Sequence, residues 1–356
     1  MKVRSWPAAI LAAAAAAAAS PSEPPSTADP ATRFVDALPV YRPAEQVSGT
    51  IRLWGHGSLR WDFMSRLVTY WMEGFRKSQP AVTIEDHMLG TANAIGGLYA
   101  GVCDLAILGE EIHPAAAAAY RRAMGYPPFG VEIATGSLDI WNMDYAHVFF
   151  VHRDNPLSRV TLAQLDGIFG AEHRRGAANI RRWGELGLTG EWADKPIRPY
   201  GWPVDDDFAL YLQDALLAGS HRWNNELRGF PHINRPDGTI YDHGQRIVDA
   251  LAADRYGIAV SNLRYKNPGV KPLAVATTDG GPFYEATKAN LISRKYPFTR
   301  IIPAYANRAP GQPLDPAVRE FLRYLLSRDG QQDILRHGGY LPLGEQAIRE
   351  QLEKLN

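Results

Sequence analysis

Residues 49–58 read GTIRLWGHGS, and their reading decides the fold. A short apolar run at 51–54 meets two glycines, Gly55 and Gly57, and gives way to a helical pattern over 59–77 with apolar positions at Phe63, Leu67, Tyr70, Trp71 and Phe75. Apolar residues recurring at three- and four-residue steps form one helix face, so this stretch is strand, glycine loop, helix. The unit repeats at once: AVTIEDHML (81–89) is a strand, GTANAIGG (90–97) a loop, 95–100 a short helix and DLAILG (104–109) a buried strand. Strands alternating with helices give a parallel sheet covered on its faces. The fold class is α/β.

Upstream, Lys2 and Arg4 precede an apolar run over 6–19, followed by the polar, proline-rich SPSEPPSTADP (20–30). This pattern predicts a signal peptide over 1–20 and a flexible Pro/Ala/Ser-rich leader over 21–48. The apolar run is shorter than the roughly 20 residues that span a bilayer, so the expected product is exported, soluble and periplasmic. The one cysteine, Cys103, lies far from any processing site, which excludes a lipid anchor there and an internal disulfide. In GVCDLAIL (101–108) it reads as a small core residue. Lys plus Arg equals Asp plus Glu, 38 each, so no global field draws in nucleic acid or an anionic membrane. A chain of 356 residues accommodates roughly two domains.

Downstream, AHVFFVHRDNP (146–156) reads as a strand, and TLAQLDGIFG (161–170) as a helix with a threonine cap and a closing glycine. Helices are expected over 206–218 and 245–253, strands at 257–260, 271–276 and 300–308, and a helical pair over 315–339. No repeat of solenoid period is present.

Three segments carry a resemblance: HRDNPLSRVTLAQLDGIFG (152–170), RRWGELGLTGEWADKPIRPY (181–200) and RKYPFTRIIPAYANRAPGQPLDPAVREFLRYLLSRDGQQDILRHGGYLPL (294–343). Over about residues 50–345 the chain resembles the periplasmic phosphate-binding proteins of bacterial ABC importers. The resemblance implies a two-lobed type II binding-protein fold, each lobe a mostly parallel sheet flanked by helices. Lobe 1 would hold 49–147 and 296–356, lobe 2 148–295, with crossover strands around HVFFVH and RIIPAYA as the hinge. It further implies a monomer that closes on phosphate or a related oxyanion and presents it to an inner-membrane ABC permease, without catalysis or a cofactor.

Three loops are expected to line the cleft. In the first, Gly57, Ser58 and Leu59 match the family's first glycine and hydroxyl loop; plain capping by Ser58 is the competing reading. In the second, Thr91 and Asn93 offer donors at a helix start, or form an ordinary turn. The third is YGWPVDDDFALYL (200–212), where the family places an arginine, three spacers and Ser-Gly-Thr. Arg198 matches the arginine in one alignment, but Trp202, Pro203 and Val204, or else Asp205, Asp206 and Asp207, replace the hydroxyl loop. Carboxylates at a helix start favour its dipole, yet beside a bound dianion two unit charges about 4 Å apart repel by roughly 4 kcal/mol at an effective dielectric near 20. Glu110, with Glu111, stands where the family has small polar residues and often an arginine. Together with Trp61, Trp141 and Trp202, these acids would also suit a sugar, an amine or another polar solute.

The ten histidines form no HExxH pair or other dense ligand spacing, so no metal site is expected unless distant loops assemble one. There is no Walker sequence and no Gly-x-Ser-x-Gly elbow. A secreted hydrolase using Asp205–Asp207 with His56 and a ligand-free sensor or scaffold are the remaining alternatives.

Overall fold

The computed structural model describes residues 30–57, 64–141 and 143–356. The signal-peptide segment, Ser58, Leu59 and Trp61 lie outside the described residues. Two five-stranded sheets organise the chain. The first holds β1 (Gly49–Gly55), β2 (Val82–His87), β3 (Leu105–Ile107) and β4 (Phe129–Thr135). The second holds β5 (Val148–His152), β7 (Arg198–Gly201), β8 (Arg228–Gly229), β11 (Gly257–Ser261) and β12 (Val270–Pro272), in the order β12-β5-β11-β7-β8. Two smaller pairs accompany it: β6 (Arg159–Thr161) with β13 (Ala274–Ala276), and the hairpin β9 (Ile233–Asn234) with β10 (Ile240–Tyr241). The chain then returns to the first sheet as β14 (Ile301–Ala306), completing the order β2-β1-β3-β14-β4.

The strand–loop–helix order is realised, although residues 91–97, expected as loop, are helical. Between β1 and β2 runs α2 (Ser65–Arg76), between β2 and β3 runs α3 (Thr91–Tyr99), and both β1 pairings are parallel. The helix α5 (Leu162–Phe169) has a full capping box, with the Thr161 hydroxyl accepting from Gln164 N at 3.2 Å and Gln164 Oε1 accepting from Thr161 N at 3.0 Å. The sheets are mixed, however. Alongside the parallel runs β2-β1-β3 and β11-β7-β8, β14 is antiparallel to β3 and β4, and β5 to β11 and β12. These two strands are the first that the chain forms on entering each lobe from the other.

Each lobe has its own core. Ile51, Leu53, Trp71, Phe75, Ile107 and Phe321 centre the first, and Phe149, Phe169, Trp183, Ile258 and Phe298 the second. Each such side chain stabilises the fold by about 1.5–3 kcal/mol through removal from water. The Trp71 indole still makes its bond, donating to Gly330 O at 3.0 Å.

The expectation of a flexible leader fails from residue 30 onward. There α1 (Pro30–Asp36) buries Ala31 and Val35, and Leu38 is buried just beyond it. The Tyr41 hydroxyl donates to Glu320 at 2.8 Å, and Val47 N donates to Gln79 at 3.0 Å. These long-range bonds and buried side chains offset the ordering entropy that composition alone suggested could not be met. The stretch between β3 and β5, to which the sequence reading assigned no element, contains α4 (Pro114–Met124), started by Pro114 and capped by His113, as well as strand β4. Alanine-rich PAAAAAYRRAM has helix propensity but little apolar periodicity, which hid it.

Loop one is tightly packed. A Cβ on Gly57 would lie 1.8 Å from the Met88 carbonyl oxygen, and one on Gly55, at φ +155°, 1.8 Å from Ile107 O. Backbone does not yield as a flexible side chain does. Gly57→Ala is therefore expected to destabilise the protein by about 1–3 kcal/mol, read as a lowered urea midpoint with an unchanged slope.

Candidate functional site

Between the lobes lies a cavity of about 1470 Å³. From the first lobe His56, Thr91, Gly109 and Glu110 line it; from the second come the start of α6 (Asp207–Ala215), the hairpin, the start of α7 (His243–Ala252), Arg264 and Tyr265. The connection carrying Trp141, Asp144 and Tyr145 forms its floor between the two. The His56 ring lies 3.0 Å from the Thr91 hydroxyl, so the β1 and β2 loops meet at the starting turn of α3.

The tie between lobes is Arg300, which immediately precedes β14 and is 1% exposed. Its guanidinium contacts Glu111 at 2.6 Å and Asp144 at 2.7 Å, and lies 4.2 Å from the centre of the Tyr211 ring on α6. Glu111 also accepts from Ile301 N at 2.8 Å. One cation thus holds the end of the β3 loop, the connection to β5, the entry to β14 and a helix of the other lobe. Burial raises the Asp144 carboxyl well above its ordinary value, with Glu111 and Glu110 adding to the rise and Arg300 opposing it. Burial likewise raises Glu110, against the pull of Arg300. The neighbouring His147 is buried, and burial followed by the Arg300 charge lowers its pKa well below the usual histidine range.

The sequence-derived candidates separate. Thr91, Glu110, Asp206 and Asp207 line the cavity. Asp206 is at once the N-cap of α6, accepting from Phe208 N at 3.0 Å, and a neighbour of the His243 ring at 3.5 Å. Capping and cleft exposure, weighed as alternatives, coincide in this residue. Asp205 and Asn93 are exposed and off the cavity lining, and Gly57 serves packing. Arg198 is elsewhere: its guanidinium forms a two-pronged pair with Asp254, whose carboxylate also accepts from the Tyr200 hydroxyl at 2.5 Å. Trp202 is 1% exposed and packs on His147, Phe208 and His243, so it props the α6 start from behind rather than facing the cleft.

Several lining residues had escaped the sequence reading: Asp144, His232, Arg235, Asp242, His243 and Arg264. Arg264 lies over the exposed Trp141 ring at 5.7 Å. The signal for the hairpin was present, since HINRPDGTIYDH (232–243) contains the Pro-Asp-Gly turn that joins two short strands. Behind the hairpin, Asp249 on α7 is pushed up by burial, but donors from Tyr241 at 2.6 Å, Asn267 at 2.9 Å and Gln245 at 2.8 Å outweigh this and leave it lowered. Among the described residues the lining holds six carboxylates (Glu110, Asp144, Asp206, Asp207, Asp242 and Asp249) against two arginines, Arg235 and Arg264.

Comparison with known proteins places this architecture. The profile of a PBP superfamily domain matches residues 62–329, so the class is that of two-lobed α/β binding-protein domains. The phosphate-binding protein PstS of Pseudomonas aeruginosa is 32% identical over 320 residues, spanning 88% of this chain and 90% of its own length. The chain belongs to the PstS phosphate-binding protein family. Protein SphX of Synechococcus elongatus is 23% identical over 279 residues, 77% of this chain and 73% of its own. Among solved structures, PstS from Borrelia burgdorferi superimposes with a TM-score of 0.54 over 84% of this chain and 99% of its own; at 14% identity it speaks for the fold alone.

Removing the Arg300 guanidinium leaves Glu111 and Asp144 without their partner. Arg300→Met is expected to cost about 3–5 kcal/mol, as for other broken buried pairs, measured by urea unfolding at neutral pH. The raised carboxyls set a second expectation. A carboxyl raised by folding takes up protons as the chain folds, so its contribution to stability declines as pH rises from about 4, the unfolded value, through the folded one. Glu110→Gln should therefore raise the melting temperature at pH 8 and change it little near pH 4.

Proposed function

We propose that the chain is the solute receptor of an ABC importer, working in the periplasm as a monomer that takes phosphate or a closely related oxyanion into the inter-lobe cleft and delivers it to an inner-membrane permease without turnover. The hinge falls at 147/148 and 295/296 in this reading. Membership of the PstS family supports it, and so does one geometric observation: α3, α6 and α7 all turn their first residues, Thr91, Asp207 and His243, to the same cavity. Helix starts turn positive dipole ends to an anion, and the start of α3 has no side-chain cap on its N–H groups. Arg264 and Arg235 add charge. Glu110 and Asp144, raised by burial, act as neutral hydrogen-bond donors when protonated. Among the described residues no helix is long and apolar enough to cross a membrane.

A second reading rests on the charge balance of the lining. Carboxylates outnumber arginines there, which favours an amine or a hydroxyl-rich solute bound by Asp206 and Asp207 against Trp141. Calorimetry of phosphate-stripped protein against phosphate, then against sugars and amines, separates the two. The phosphate reading predicts saturable binding that tightens as pH falls through the raised Glu110 and Asp144 titrations, because the carboxyls lose their repulsion and gain a proton to donate. It predicts that Arg264→Ala weakens phosphate binding by about 1.5–3 kcal/mol, as for a hydrogen bond to a charged group, and that Asp207→Asn strengthens it. Absence of phosphate binding, with an amine or sugar bound and weakened by Asp207→Asn, establishes the second reading instead.

A further inference from the structure

The hairpin and the start of α7 together form one wall of the cavity. The hairpin register pairs Tyr241 with Ile233, so the residues just beyond, His232 and Asp242, leave the strands opposite one another. The next residue, His243, opens α7, and its backbone N–H donates to His232 Nδ1 at 3.1 Å. That bond leaves Nε2 as the free ring nitrogen of His232. The two imidazoles stack, with ring centres 3.9 Å apart. His243 is 7% exposed, and its Nδ1 is buried without a hydrogen-bond partner, 3.5 Å from Asp206.

We propose that His232, Asp242 and His243 form a site for a divalent transition-metal ion, zinc or a cation of like ligand preference, in the wall of the inter-lobe cavity. Each residue offers a ligand atom within 4.8 Å of the other two. Around a tetrahedral zinc, nitrogen and oxygen ligands about 2.1 Å from the ion stand roughly 3.3 Å apart. From separations within 4.8 Å, closing the site takes a contraction of at most about 1.5 Å, reached by tilting the exposed His232 ring out of the stack. Two imidazoles and one carboxylate are the donor set that suits zinc, copper or nickel rather than magnesium or calcium.

The carboxylates are already fixed in place by helix capping. Asp242 accepts from Gly244 N at 2.8 Å with Oδ1, the same oxygen that lies 3.9 Å from His243 Nε2, and Asp206 accepts from Phe208 N with Oδ1 while Oδ2 faces His243. Asp206 thus stands as the outer partner that orients the His243 imidazole, the role such carboxylates take behind metal-bound histidines. A cation on His243 Nε2, the nitrogen 3.9 Å from Asp242 Oδ1, fixes the ring proton on the buried Nδ1, which faces Asp206 Oδ2 at 3.5 Å. A dication here also offsets part of the acidic excess of the lining.

The site is tested on the untagged, chelator-treated full chain in phosphate-free buffer, so that the result is independent of whether phosphate is the solute. After equilibration with zinc and removal of excess, elemental analysis should find one zinc per chain in the wild type. It should find none in His232→Ala, whose exposed ring can be removed without loss of the fold, as checked by thermal unfolding. Cobalt loading should give the visible absorption of a low-coordinate His/carboxylate site in the wild type and not in His232→Ala or His243→Gln. A wild type that retains no zinc overturns the proposal, as does a folded His232→Ala that retains a full equivalent. Should His243→Gln fail to fold, the His232→Ala comparison decides alone.

Discussion

The architecture depends on one buried cation. Arg300 sits where the chain enters β14 and gathers Glu111 from the β3 loop, Asp144 from the connection to β5 and the face of Tyr211 from the other lobe. A guanidinium suits this place because it is planar, permanently charged, and able to stack on a ring while donating in its plane. Two carboxylates around one arginine, with Glu110 at 3.9 Å, leave an excess of negative charge that protonation of Glu110 or Asp144 relieves. The hinge region and the electrostatics of the cleft are therefore one problem with one solution.

That link explains how an acidic turn can occur in a fold whose helix starts favour anions. Asp206 is held by its cap bond to α6 and by the His243 ring, so its charge is spent on the dipole and on an imidazole before any solute arrives. Asp207, exposed in the first turn of α6, faces the cavity beside it. Trp202 and Phe208, packed on His147, give the turn a rigid apolar backing where a hydroxyl loop was expected.

Much of the fold was legible because it is written in local signals. The alternation of β1, α2, β2 and α3, the Thr161 cap and the 316–337 helical pair each depend on residues close in sequence. The leader was misjudged because Ala31, Val35 and Leu38 are buried by distant parts of the chain, which no local window displays. In the site, Thr91, Glu110, Asp206 and Asp207 were found from their places at strand ends and helix starts. Arg198 was not a cleft residue because Asp254, 56 positions away, claims it. The Arg300 cluster depends on long-range closure of the chain, its bond to Glu111 spanning 189 residues, whereas His232 and His243, 11 positions apart, meet only because the hairpin between them closes. Spacing rules for ligands and ion pairs are blind to such distances.

The central claim is that two lobes, held at one edge by the Arg300 cluster, close over the cavity when solute enters it. Small-angle scattering on the phosphate-stripped protein, without and then with phosphate at a concentration that calorimetry shows to be saturating, measures this directly. The account predicts a smaller radius of gyration in the bound state, as hinge closure requires. An identical radius in the two states, with phosphate demonstrably bound, would contradict it.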